Sequence, residues 1–201
     1  MSTVKLTADS GGGTVAIAGP STTTGNAALT LTLPGTASGT IATTSTAGKI
    51  LQVVSTTKTD QFSATTEDAW TDITGLSVAI TPSATSSKVL FRAMVNVGSD
   101  QSVSVPAMRV LRDSTAIGVG DAAGTRGQAT AVFGAADDWL ALGVPIDVMD
   151  SPSSTSELTY KVQYYKSQSS TIYVNSSYRD TNGSGIDFRY SSIVYVMEIG
   201  A

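Results

Sequence analysis

Short runs in which large apolar residues occupy every second position constrain this chain more than any other feature. In residues 86–97, Val89, Phe91, Ala93, Val95 and Val97 fall on one side of an extended chain, with Lys88, Leu90, Arg92, Met94 and Asn96 on the other. Residues 157–166 repeat the pattern with Leu158, Tyr160, Val162 and Tyr164. Leu76, Val78 and Ile80 alternate with small residues, and the closing run is expected to put Ile193, Tyr195, Met197 and Ile199 on its apolar face. Asp113-Ser114 reads as a hairpin turn, and residues 167–170 as a hairpin loop ahead of residues 171–175. Pro82, the glycine-rich stretch 118–127, Asp150-Ser151-Pro152-Ser153 and residues 180–185 separate the runs. About ten short strands follow, spaced by turn signals. Only residues 129–142 have the length of a helix, and Gly134 and two aspartates interrupt them. The expectation is an all-β fold, an antiparallel jelly-roll-like β-sandwich preceded by an extended N-terminal arm or short β stalk.

The arm is residues 1–46 and the sandwich residues 47–201. Leu29, Leu31 and Leu33 alternate with threonines, Pro34-Gly35 stops the run, and Thr40-Ile41-Ala42-Thr43 begins another. So small a strand pair does not cover its own leucines. The same stretch of a second copy is the simplest cover, so Leu29, Leu31, Leu33 and Ile41 are candidates for an interchain junction. A disordered Gly/Ser/Thr arm is the other reading of this region.

Charge and residue usage remove several function classes. Charged residues make up 14% of the 201, against ~25% in ordinary soluble domains, and Ser, Thr and 19 glycines take their place. Such a surface suits oligomerisation or packing within a larger particle. The net charge of −4 supplies no basic face for nucleic acid. With no Cys and no His, disulfides, thiol chemistry and the usual zinc, haem and histidine sites are excluded. No cofactor and no metal are expected. Residues 1–5 lead into no secretory apolar core, and no run approaches ~18 apolar residues, so no membrane span is expected and synthesis in a cytoplasm is.

Few residues suggest chemistry. The spaced glycines from Gly118 to Gly124 lack the helix that would aim amides at a phosphate, and read as a loop. Asp137, Asp138, Asp147 and Asp150 could form a carboxylate group for glycoside hydrolysis or calcium, but lack calcium-loop spacing and read as turn residues. All seven tyrosines lie between Tyr160 and Tyr195. Tyr160 and Tyr164 fall on the apolar face. Tyr165, Tyr173, Tyr178 and Tyr190, with Arg126 and Asn182, are the candidates for contact with a glycan or protein surface. Asn175-Ser176-Ser177 is formally a glycosylation triplet and is set aside without a secretion signal.

Several stretches resemble one group of proteins. Residues 31–45, L-T-L-P-G-T-A-S-G-T-I-A-T-T-S, resemble a "TLTLP…GTLATT"-type segment of tail-fibre and related appendage proteins of tailed bacteriophages, with Ile41 where Leu is more usual. Residues 80–90 are similar to an "ITPSSTSSKIL" stretch of marine and cyanobacterial phage fibre proteins, and Leu158-Thr159-Tyr160-Lys161-Val162 and Met197-Glu198-Ile199 also look like that group. The resemblance implies a homotrimeric, non-enzymatic virion protein ending in a jelly-roll module. Residues 1–46 would dock onto other phage proteins of the tail or capsid. Loops near residues 118–127, 167–170 and 180–185 would face a bacterial surface glycan or protein. A capsid decoration (cement) or head-fibre protein is the alternative, and a carbohydrate-active enzyme using Asp137 and Asp138 a third.

Overall fold

The computed structural model describes residues 3–7, 14–18, 48–99, 106–134, 138–167, 171–183, 185 and 187–201. The chain divides into two units, residues 1–44 and 45–201. In the first, β1 (Thr3–Thr7) runs antiparallel to β2 (Thr14–Ala18), with Thr3 opposite Ala18 and Thr7 opposite Thr14. Leu29, Leu31, Leu33 and Ile41 lie outside the described residues.

The second unit contains β3 (Ile50–Lys58), β4 (Phe62–Ala64), β5 (Thr71–Ile80), β6 (Lys88–Ser99), β7 (Ala107–Arg112), β8 (Thr115–Ile117), β9 (Ala131–Val132), β10 (Leu142–Asp150), β11 (Leu158–Tyr165), β12 (Ile172–Val174) and β13 (Ser192–Ile199). Every ladder is antiparallel, and there is no helix among the described residues. The long pairings nest: β3 with β13, β5 with β11, β6 with β10, and β7 with β8 across the turn at Asp113-Ser114. A long hairpin folded over in this way closes when β13 pairs with β6 and β11 with β7. Two sheets result, β3-β13-β6-β10 and β5-β11-β7-β8, and the fold is a jelly roll. The short β12 and β4 extend the first sheet, and β9 sits on β7 beside β8.

The core fills the space between the sheets. Val89, Phe91, Val95 and Val97 of β6, with Val144, Ile146 and Val148 of β10, face Leu76, Val78 and Ile80 of β5 and Tyr160, Val162 and Tyr164 of β11. The Phe91 and Tyr160 rings stack at 6.2 Å between centroids. The alternation read from β6 and β11 therefore points inward as expected.

Two local readings, of β13 and β12, are corrected, and β5 carries a bulge. In β13 the inward residues are Ser192, Val194, Val196 and Glu198, while Ile193, Tyr195, Met197 and Ile199 face out. Register decides it: Val196 lies opposite Phe91, whose side chain is already committed to the core. In β5, Ile73 and Leu76 both point inward because the ladder to β11 slips by a bulge. Gly75 sits in that bulge at φ 86°, a conformation other side chains resist. Finally, β12 does not form a hairpin with β11; it crosses to pair with β6 and β4.

The two ends of this unit differ. The chain enters at Gly48 and leaves at Gly200, whose N–H donates to Lys49 O at 2.8 Å. Ladder registers place the compact links 81–87, 113–114 and 151–157 at that end. The long connections between β3 and β5, β8 and β10, and β11 and β13 leave from the opposite end.

Candidate functional site

The outer faces of the two sheets have opposite chemistry. On the first sheet, Val53, Met197, Leu90 and Met149 form one row across four strands. The next row is Ser55, Tyr195, Arg92 and Asp147, and the next Thr57, Ile193, Met94 and Pro145. Val53 is 57% exposed, Met149 52% and Ile50 59%. An outward sheet face is ordinarily polar. Here the charges in the middle cancel: Arg92 Nε donates to Asp147 Oδ1, and the guanidinium lies 5.9 Å from the Tyr195 ring centroid.

The second sheet's outer face is a polar ladder. Lys161 Nζ donates to Asp72 Oδ2 at 2.7 Å, Gln163 Nε2 to Asp72 Oδ1 at 2.6 Å, and Arg109 Nε to Gln163 Oε1 at 2.9 Å. Burial pushes the Asp72 carboxyl up, but the donors Lys161 and Gln163 outweigh it and hold the group below its ordinary value. Burial pushes the Arg109 guanidinium down, and Asp72 offsets part of that. Where this ladder meets the loop-bearing end, Trp70, Tyr165, Ala107, Val132, Thr125 and Gly127 line a groove of about 320 Å³. Tyr165 lies 5.4 Å from Trp70 between ring centroids, and its hydroxyl donates to Asp68 at 3.1 Å. Arg126 is exposed between two of the lining residues. Trp70, Arg109 and Gln163 were not among the sequence candidates. Gln163 and Arg109 stand at outward positions of alternating strands, but only register shows that they meet.

The other candidates gather on the connection between β11 and β13. Tyr173 and Tyr178 pack edge to face at 5.8 Å. Tyr190 N–H donates to Asn175 O at 3.1 Å. Asn182 lines a second hollow with Asp180, Asp187 and Arg189. The charges there are internally matched: Arg179 pairs with Asp187 and Arg189 with Asp180. Arg179 holds the Asp187 carboxyl below its ordinary value, against a smaller rise from burial. This hollow is a braced loop rather than an unsatisfied site. Asn175-Ser176-Ser177 is fully buried. The Asn175 amide donates to Lys58 O and Asp60 O at 2.9 and 3.0 Å and accepts from Ser192 Oγ at 2.6 Å. The triplet therefore anchors the connection and offers no acceptor for a glycan.

Among the described residues the acidic candidates do not assemble. Asp147 is on the outer face with Arg92, while Asp150 is inside, accepting from Arg112 Nη1 at 2.8 Å and Tyr160 Oη at 2.7 Å. Asp137 is outside the described residues, and Asp138 accepts through its carbonyl from Arg179 N–H at 2.9 Å. Among the described residues there is no acidic cluster able to hold a metal. Nor is there a helix long and apolar enough to cross a membrane.

Fold and surfaces together define a jelly-roll module with one apolar and one polar outer face and its long loops at one end. No family model matches the chain, and no curated protein matches it. Among solved structures it is similar to the crystal structure of infectious bursal disease virus VP2 subviral particle, at 13% identity and TM-score 0.38, over 75% of this chain and 38% of that one. A structure of infectious bursal disease virus Gx strain is similar at 16% identity and TM-score 0.39, over 75% and 37%. The chain spans less than half the length of either. Likeness of this degree bears on neither role nor ligand.

Proposed function

We propose that the chain is a structural, non-enzymatic protein of a tailed-phage virion. It is a homotrimeric fibre or spike whose sandwich, residues 47–201, presents loops to the host surface, while residues 1–46 dock onto tail or capsid proteins. The observation that carries this reading is the apolar outer face of β3-β13-β6-β10, set against the polar outer face of the other sheet. Four strands about 4.8 Å apart and three rows about 6.8 Å apart cover roughly 400 Å² in projection. That is the scale of the core of a specific interface, which takes ~800 Å² from each partner. Sister copies suit the face because Arg92 and Asp147 already neutralise each other, so three such faces can gather about a threefold axis without unpaired charge. The face also takes in Ile50 and Leu51 at the start of β3.

Three joined copies would turn several loop-bearing ends the same way. Weak contacts repeated on one surface then gain by multivalency, by roughly 10²–10⁴ over a single site. Native mass measurement of the full chain tests the assembly: three copies are expected, and a monomer at micromolar concentration overturns it. Labelled protein added to intact particles tests the placement. Decoration of tails is expected, and decoration of capsids alone would move the role to capsid cement or head fibre.

A further inference from the structure

The groove lined by Trp70 and Tyr165 is separate from the apolar face, and Arg109, outside that lining, stands beside it on the Trp70 ring. The Arg109 guanidinium carbon lies 4.4 Å from the Trp70 ring centroid. Its Nε is fixed by Gln163, while its two terminal nitrogens have no partner among the described residues. Asp72, the carboxylate that would ordinarily neutralise it, is occupied by Lys161 and Gln163. The fork is therefore oriented and partly desolvated, with its two terminal nitrogens open to solvent. A planar fork of N–H donors matches a carboxylate with two parallel hydrogen bonds. Beside it the groove offers the Trp70 and Tyr165 rings, Thr125 and, at Gly127, backbone with open space over it. Aromatic faces carry negative charge density that attracts the polarised C–H edge of a sugar ring. A volume of about 320 Å³ is small for a ligand site and suits a monosaccharide-sized unit.

We propose that this groove binds a carboxylated sugar unit, a uronic or ulosonic acid of a host surface polysaccharide, with Arg109 holding the carboxylate and Trp70 and Tyr165 packing on the ring. The proposal rests on the loop-bearing end being the end that meets the host. The protein's net charge of −4 works against indiscriminate attraction of polyanions, so binding of an acidic glycan has to come from a local site.

The test is calorimetric titration of the full chain with oligosaccharides of galacturonate, glucuronate and sialic acid. Neutral dextran oligosaccharides and a mannose phosphate oligosaccharide are the comparison arms. At least one carboxylated probe should bind and dextran should not. Arg109→Gln should weaken binding at least ~10-fold with the far-ultraviolet spectrum unchanged. Val132, 62% exposed on the rim, supplies variants that leave the fold alone: Val132→Glu should weaken the same probe and Val132→Lys strengthen it. Binding of none of the three acids, equal binding by Arg109→Gln, or preference for the phosphate overturns the assignment. Trimer mass and particle binding are read on the same samples. A trimer that decorates particles yet ignores every acidic sugar rejects the groove alone, while sugar binding by a monomer rejects the assembly alone.

Discussion

Glu198 shows how a single residue can hold an end of this fold together. It is fully buried, and no cation pairs with it among the described residues. Ser83 N–H, Ser83 Oγ and Ser87 Oγ donate to its Oε1 at 2.7, 2.6 and 2.7 Å, and Gln52 Nε2 to its Oε2 at 2.7 Å. Burial raises the carboxyl's pKa, yet the donors Ser83, Gln52 and Ser87 together overcome that and bring it to about 2. Because the folded value lies below the unfolded one, this contribution is complete above about pH 4.5 and fades as pH falls toward 2. Glu198→Gln puts an N–H₂ group among donors and should cost about 2–3 kcal/mol at pH 7. In paired denaturant titrations the difference between the two proteins should shrink between pH 4.5 and 2; a constant difference would contradict the account. Two core tyrosines make a second pair. The Tyr164 hydroxyl is buried with no hydrogen-bond partner among the described residues, so Tyr164→Phe should leave stability within about 1 kcal/mol of the parent, on the stabilising side. Tyr160→Phe breaks the bond to Asp150 and should cost about 1–3 kcal/mol in the same titration. Alternation marks both rings as core. It says nothing of their hydroxyls, because the partner comes from β10.

At the scale of elements, alternation located the long strands and the turn between β7 and β8, since period two in a half-buried strand is imposed by the pleat itself. It failed where a neighbour decides the face. β13 carries larger residues outside than inside, and weighing side chains by size chose the wrong one. Two of the phage-like stretches meet: Ser83 and Ser87 of the "ITPSSTSSKIL"-like segment donate to Glu198 of the closing Met197-Glu198-Ile199, while residues 31–45 lie outside the described residues. The groove was legible only in part. Tyr165 and Arg126 were singled out, while Trp70 and Arg109 are 39 positions apart by numbering and meet only through the β11 ladder. Packing between elements makes a further prediction. A Cβ on Gly98 would stand 2.4 Å from Ser176 O and 3.0 Å from Ser177 Cα, both backbone atoms of the anchored connection. Gly98→Ala should therefore cost roughly 1–3 kcal/mol and loosen residues 175–191, read as faster amide exchange there. Gly120→Ala, with nothing within 4 Å, should change neither.

At the scale of the whole module, the entrance of the chain and its long loops lie at opposite ends, and the two outer faces divide apolar from polar. Buried apolar area stabilises an assembly only if water leaves it, so a charge placed centrally on the interface should act far more strongly than one at its edge or elsewhere. Val53 and Met149 lie in one row at opposite edges of the sheet, with Met197 and Leu90 between them. Both side chains are more than half exposed in the single chain, so Val53→Glu and Met149→Glu have no core contact to lose. Together they should convert the proposed trimer to monomers by native mass while leaving the monomer's secondary structure intact. Met94→Glu, in the middle of the sheet, should do the same alone. Ser77→Glu and Ala79→Glu, exposed on β5 of the polar sheet, are the matched controls and should leave the mass unchanged. Should the β5 variants dissociate the assembly while the β3 and β10 variants do not, the contact lies on the other sheet, and the groove at Trp70 would then face a sister chain rather than a host glycan.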